Sequence, residues 1–281
     1  MQITRRAMMA GLAGTAGLAT LGLPRSAAGG VTVDLAARSI RASLSGPVTE
    51  GLMSYAGGGP GPVIRLRQGK PALIRFENRL AEMTTVHWHG LRVPHTMDGV
   101  AWVSQFPLNP GETFDYVFTP QDAGTFWYHP HCNTFEQLSR GLNGVLVVEE
   151  ALDPGFDAEV ALNLRDFRLG ADGQFIDLSK PRNAARGGTL GTVMTVNWAV
   201  EPTIPVPTGG LVRLRLVNTD VTRVHRLFLA GAEGRVVALD GHPLDRHLLH
   251  YLGSKRTAAT ISSLDGARLL LVGGPPFPEQ I

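Results

Sequence analysis

The sequence is poor in cysteine: Cys132 is the only one among 281 residues. A lone thiol excludes an internal disulfide framework, whatever the redox state of the compartment. Charge of one sign is also lacking, with 26 Lys and Arg against 24 Asp and Glu and no basic cluster, so no nucleic-acid partner is expected. Long apolar runs are missing except near the amino terminus, where Ala7 to Leu23 is short for a helix that crosses a bilayer. No stable membrane anchor is expected from it.

That amino-terminal run is preceded by Thr4-Arg5-Arg6 and followed by Pro24-Arg25-Ser26-Ala27-Ala28. A charged start, an apolar glycine-rich middle and small residues at the end resemble a twin-arginine export signal. Residues 1–28 are therefore expected to be removed and the protein to be exported, to the periplasm where there is one. Losing Arg5, Arg6 and Arg25 leaves 23 basic residues against 24 acids, a net charge near −1. The route carries folded proteins, which suits a metal site loaded before export.

What the chain has in abundance is glycine (34) and proline (19), scattered between short apolar stretches. This punctuation favours an all-β fold. Val31–Leu44, Val63–Arg67 and Ala72–Phe76 read as strands, Met53–Pro62 as a loop and Gly69-Lys70-Pro71 as a turn. The chain also repeats itself at an offset of 140 residues. Gln68-Gly69 followed by Leu73-Ile74-Arg75-Phe76-Glu77-Asn78 aligns with Thr208-Gly209 followed by Arg213-Leu214-Arg215-Leu216-Val217-Asn218. A repeat of that length implies two related β domains. The expected division is 31–150, a linker near Glu149–Gly155, 156–245, and a divergent tail at 246–281.

Chemistry concentrates in the first copy. His87-Trp88-His89 and His129-Pro130-His131 each place two imidazoles on one face of a strand, because residues i and i+2 point the same way. With nine histidines in the chain, about 0.3 such pairs arise by chance, so two within aromatic, strand-like sequence are informative. Imidazole donors without carboxylate or thiolate between them suit copper, zinc, iron or nickel rather than calcium or magnesium. The second copy offers only His225 at the matching place, and the domain that holds it is expected to be structural.

His87-Trp88-His89-Gly90-Leu91, Met97-Asp98-Gly99-Val100, Pro110-Gly111-Glu112-Thr113-Phe114, Gly124-Thr125-Phe126-Trp127-Tyr128-His129-Pro130-His131 and Gly141-Leu142-Asn143-Gly144 together resemble the first domain of the laccase-like multicopper oxidases. The resemblance runs in order from about 32 to 244. It implies tandem cupredoxin-like Greek-key β-sandwiches, the second divergent or incomplete. It also implies copper, with His87 at a type 2 site and His89, His129 and His131 at a type 3 pair, together half the ligands of a three-copper cluster. Asp98 would supply protons there as dioxygen is reduced to water. The implied reaction couples this to one-electron oxidation of a small reducing substrate: a phenol, an amine or a metal ion.

Several residues near the motifs carry separate expectations. Trp88 and Trp127 are expected in the core, and Pro130 implies an edge strand or a bulge because it lacks an amide donor. A blue type 1 copper needs a cysteine with two histidines, and no histidine lies between His131 and His225, so Cys132 is expected to be a packed thiol. No methionine-rich segment supports a dedicated cuprous oxidase.

The departure lies near the end of the chain. Family members carry a third domain with His-x-x-His-x-His and His-Cys-His segments. Here His247-Leu-Leu-His250-Tyr-Leu252 imitates the first, with leucine in the last place, and no His-Cys-His occurs. The expectation is a truncated or frame-shifted product or a fragment, not competent alone to turn over phenols. The alternative is a non-catalytic periplasmic copper-binding scaffold descended from such an oxidase. A two-domain copper enzyme such as a nitrite reductase would require a type 1 cysteine with neighbouring histidine and methionine, which the first domain lacks.

Overall fold

The computed structural model describes residues 30–230, 232, 234–239, 242–243, 261–262 and 268–273. The expected leader at 1–28 and His247, His250 and Leu252 lie outside the described residues. The first unit contains β1 (Val31–Ser43), β2 (Val48–Ser54), β3 (Ile64–Arg67), β4 (Ala72–Arg79), β5 (His87–His89), β6 (Thr113–Phe118), β7 (Gly124–His129), a short helix α1 (Thr134–Ser139) and β8 (Gly144–Glu149). They form two four-stranded sheets, ordered β2-β1-β4-β6 and β3-β8-β7-β5. Along β4 buried and more accessible residues alternate strictly, with Ala72, Ile74, Phe76 and Asn78 inside, as a strand covered on one face requires. Between the sheets lies an apolar core containing Ile74, Phe76, Trp88, Tyr116, Tyr128 and Leu146.

The second unit contains β9 (Ala158–Phe167), β10 (Val193–Val196), β11 (Leu211–Asn218), β12 (His225–Ala230), the short pair β13 (Ala238–Leu239) and β14 (His242–Pro243), β15 (Ile261–Ser262) and β16 (Arg268–Gly273). One sheet runs β10-β9-β11-β15, while β12 pairs with β16. Segments 261–262 and 268–273 of the expected tail thus pair with strands of this unit. The repeat is visible in the pairing: β4 runs parallel to β1, and β11 runs parallel to β9. It extends to the turns that follow. Asn78 Oδ1 accepts from the amide of Leu80, and Asn218 Oδ1 from the amide of Asp220, the same asparagine turn in both copies.

Among the described residues, apolar packing joins the units at two places. The distal part of the β1–β2 hairpin leaves the first core, so that Leu44 and Leu52 pack with Phe167, Leu169 and Trp198. Thr49 Oγ1 donates to the Gly173 carbonyl at 2.8 Å. Elsewhere β8 is buried on both faces: Leu146 and Val148 enter the first core, while Val145 and Val147 pack with Val217 of β11. A strand covered on both sides needs the continuous apolar run Val145-Leu-Val-Val148 rather than an alternating one.

Beside this apolar seam lies an ion network. Arg213 donates to Glu150 at 2.6 Å and lies 3.1 Å from Glu159. Arg215, almost fully buried, donates to Glu159 at 2.8 Å and to Thr125 Oγ1 at 2.9 Å, and Arg65 reaches both Glu149 and Glu159. Burial alone would raise the Glu159 carboxyl, but bonds and charges from Arg215, Arg213 and Arg65 outweigh it and hold the carboxyl below its ordinary value. A carboxylate whose folded pKa is depressed contributes stability above its unfolded pKa and loses it as pH falls through the folded one. Stability is therefore expected to decline below about pH 4.5. Glu159→Gln should flatten that decline and cost about 2–3 kcal/mol at pH 7, because three guanidinium groups lose a shared charged partner. Urea denaturation across pH, comparing the two proteins, checks both.

Candidate metal centre

The pairing of β5 with β7 builds the site. It is antiparallel, with His87 opposite His129, Trp88 opposite Tyr128 and His89 opposite Trp127. Alternation sends Trp88 and Tyr128 into the core, where both are fully buried. The Trp88 ring meets Tyr116 edge-on at 5.1 Å and lies 5.6 Å from Phe118 and 5.9 Å from Tyr128. His87, His89 and His129 occupy the opposite face, where one ligand nitrogen from each lies within 4.8 Å of the others. His131 follows the strand, its ring 5.4 Å from that of His87 and stacked at 6.3 Å on that of His129. His87 is central, with the other three rings at 5.3 to 5.8 Å from it.

Backbone carbonyls orient two of these rings. His87 Nδ1 lies 2.8 Å from the carbonyl oxygen of Asp98, and His129 Nδ1 lies 2.9 Å from that of Pro130. A carbonyl can only accept, so each Nδ1 carries the proton and Nε2 keeps its lone pair. His89 Nδ1 and His129 Nε2 are 3.3 Å apart. Two nitrogens sharing one ion at about 2.0–2.1 Å with a near-tetrahedral angle lie about 3.3 Å apart, so the spacing admits a metal as well as a hydrogen bond. Burial lowers the His129 pKa to about 3, aided by the neighbouring His87, His89 and His131 and opposed by the Pro130 carbonyl. This imidazole is neutral at any ordinary pH, the form a metal requires. The donor set fits a copper ion.

Asp98 lies in the loop after the His95–Met97 turn. Besides the backbone contact, its Oδ1 is 3.4 Å from His87 Nδ1, with the carboxylate partly open to solvent. The loop can approach because residue 99 is glycine at φ +75°: a Cβ there would stand 1.7 Å from the Val86 carbonyl oxygen. A second support joins the two histidine segments from behind. Fully buried Gln137 of α1 receives a bond from Thr84 Oγ1 at 2.7 Å and donates to the Met83 carbonyl at 2.9 Å. Neither residue stands out in the sequence, since glutamine and threonine have no characteristic spacing. The one available sign is that both lie a few residues from a His-x-His pair.

Two expectations need correction. Trp127 does not share the core with Trp88. It is two residues before His129 and so lies on the histidine face, its ring 4.9 Å from His89 and 4.3 Å from His129, packed against the apolar seam. Pro130 marks neither an edge nor a bulge: β7 is flanked by β8 and β5 and ends at His129. Cys132 is half-buried, and burial together with Glu82 pushes its thiol up. His225 pairs with Asp220. Replacing Gly99 by alanine should lower copper affinity about 10- to 100-fold, the usual effect of disturbing a ligand's support, while the wild-type β fold persists. Copper titration alongside far-UV circular dichroism checks this.

Comparison with known proteins agrees with this geometry. Residues 36–153 match the family model described as multicopper oxidase. A multicopper oxidase of Mycobacterium tuberculosis is 30% identical over 243 residues, covering 76% of this chain and 47% of that protein. Copper resistance protein A of Pseudomonas syringae pv. tomato is 36% identical over 58% of this chain and 29% of its own length. The crystal structure of a multicopper oxidase from Pseudomonas thermotolerans superposes with a TM-score of 0.75 at 44% identity, covering 87% of this chain and 56% of that one. The chain spans about half the length of these relatives, or less. Its β-sandwiches, copper-type donor set and sequence place it in one group: the chain belongs to the multicopper oxidase family.

Proposed function

We propose that this chain supplies half the ligands of the three-copper cluster of a laccase-like multicopper oxidase, one that couples one-electron oxidation of a small phenol, amine or metal ion to reduction of dioxygen to water. The observation that carries the proposal is the meeting of three imidazoles on one face, two of them fixed by backbone carbonyls, with a fourth, His131, beside them. Copper, when bound, supplies the one-electron redox chemistry. By resemblance, His87 serves a type 2 site while His89, His129 and His131 serve a type 3 pair. Residues 31–150 form the ligand domain and 156–245 a structural one. Residues 1–28 direct export through the twin-arginine route. Among the described residues no helix is long and apolar enough to cross a membrane.

The protein's own groups have definite tasks. The carbonyls of Asp98 and Pro130 resist rotation of the His87 and His129 rings and leave Nε2 of each free to hold a copper ion, which these residues would bind. The Asp98 carboxylate is accessible to solvent and sits beside His87, so it can take up protons from water and hold them where oxygen reduction consumes them. Trp127 covers the inner side of the cluster and limits water there.

Removing ligands tests the reading directly. His87→Ala and His129→Ala are each expected to abolish stoichiometric copper uptake by the exported chain, measured by metal analysis. Asp98→Asn is expected to leave copper affinity within about threefold, because the short contact to His87 comes from the backbone rather than the side chain. The copper-loaded chain should lack a blue absorption band and should not oxidise phenols by itself. A blue, phenol-oxidising preparation would sink the half-site reading.

A further inference from the structure

Alternation along β7 places Thr125, Trp127 and His129 on one face and buries Phe126 and Tyr128 in the core behind them. Across the sheet Trp127 stands opposite His89 of β5 on one side and Val145 of β8 on the other, so imidazole, indole and valine form one row. The indole lies 4.3 Å from the His129 ring, tilted by 32°, and 4.9 Å from the His89 ring, tilted by 34°. Rings in such arrangements attract one another beyond the apolar area they cover. One side chain thus touches two candidate ligands that come from different strands.

The indole is itself held from the other unit. Val145, Val147 and Val217 of β11 form a buried cluster against which Trp127 packs. Two residues along the same face, Thr125 Oγ1 receives a bond from Arg215 of β11 at 2.9 Å. Val217 is 7% exposed, so the seam is filled, and a close-packed interior transmits a displacement rather than absorbing it. The carbonyls on Nδ1 of His87 and His129 resist rotation of each ring but do not fix the spacing between imidazoles of β5 and β7. That spacing, 3.3 Å from His89 Nδ1 to His129 Nε2, is what one shared ion requires.

We infer that Trp127 is a positioning residue of the copper site and that the second unit tunes copper affinity through it, with Val217 backing the indole and the indole setting the spacing of His89 and His129. The inference rests on the reading of the histidine face as a copper site. It gives the second unit, which contributes none of the four histidines, a share in their affinity for the ion.

Copper(II) is titrated into the full chain, with affinity read by competition against a chelator of known strength and geometry read by electron paramagnetic resonance. Trp127→Leu keeps the seam apolar but removes the stacking. It should weaken copper about tenfold, within the range usual for a lost support of a metal ligand, and shift the resonance spectrum. Trp127→Phe retains a ring and should stay within about threefold of wild type. Val217→Ala opens space behind the indole without touching a histidine and should weaken copper about threefold, with a spectral shift of the same kind. Added to Trp127→Leu it should bring no further loss, since both act through one side chain. Leu44→Ala at the other seam should lower the urea midpoint at least as much as Val217→Ala, yet leave affinity and spectrum unchanged. That contrast separates positioning from general destabilisation, and it decides the matter even should Trp127→Leu fail to fold. The inference is overturned if Val217→Ala binds copper as wild type does, if Trp127→Phe loses as much affinity as Trp127→Leu, or if Leu44→Ala loses as much as Val217→Ala. A wild-type chain that takes up no copper would instead overturn the reading of the histidine face, and this inference with it.

Discussion

The metal face depends on one short pairing, three residues of β5 against β7. A three-residue strand has little backbone stability of its own, and its register is set by what its middle residue does. Trp88 fills the core against Tyr116, Phe118 and Tyr128, and the Val86 amide just before the strand donates to Tyr116 Oη at 3.1 Å. A slip of one residue would drive two imidazoles into that core and expose the indole. The apolar packing of Trp88 and Tyr128 therefore places the imidazoles. Gly144 belongs to the same constraint: a Cβ there would stand 2.2 Å from Tyr128 Oη, so the ring opposite Trp88 fits only because β8 has no side chain at that point.

The same register couples the histidine face to the second unit. Trp127 stacks near His89 and His129 and also packs with Val145 and Val147 of β8, which meet Val217 of β11. Around this apolar seam, Thr125 of β7 receives a bond from Arg215, whose guanidinium also holds Glu159. Buried amides add a further link, since Asn163 donates to Asn143 Oδ1 at 2.7 Å and accepts from Thr219 at 2.6 Å. The second unit holds no histidine cluster among its described residues, yet it buttresses β7, the strand that carries His129.

Much of this was legible in the residues and some was not. Two His-x-His pairs announce a shared face because the strand period is fixed at two, and the 140-residue repeat implies related units, although the matching parallel pairs and the Asn78 and Asn218 turns appear only in the structure. The misplacement of Trp127 came from treating an aromatic beside a ligand as core; counting parity from His129 puts it on the histidine face. Pro130 was misread because strand ends are set by hydrogen bonding that the sequence does not display. Gln137, Thr84 and the Glu159 network stayed invisible for a deeper reason. They act across separations of 50 residues or more, and no local pattern encodes a partner that the fold brings in from elsewhere.

The imidazoles themselves differ in freedom. His129 is buried and His87 partly so, and both are held by backbone carbonyls, whereas His89 and His131 are exposed. A site in which all ligands were fixed would impose one geometry, and one in which none were would lose side-chain entropy on binding. Here the inner pair is preorganised and the outer pair lies at the solvent side, so any further donors must approach from that side. Because His129 is held neutral by its surroundings, that position need not release a proton to accept a metal. In the proposed centre the buried half of the face would anchor copper, and the exposed half is where the remaining coordination would be completed.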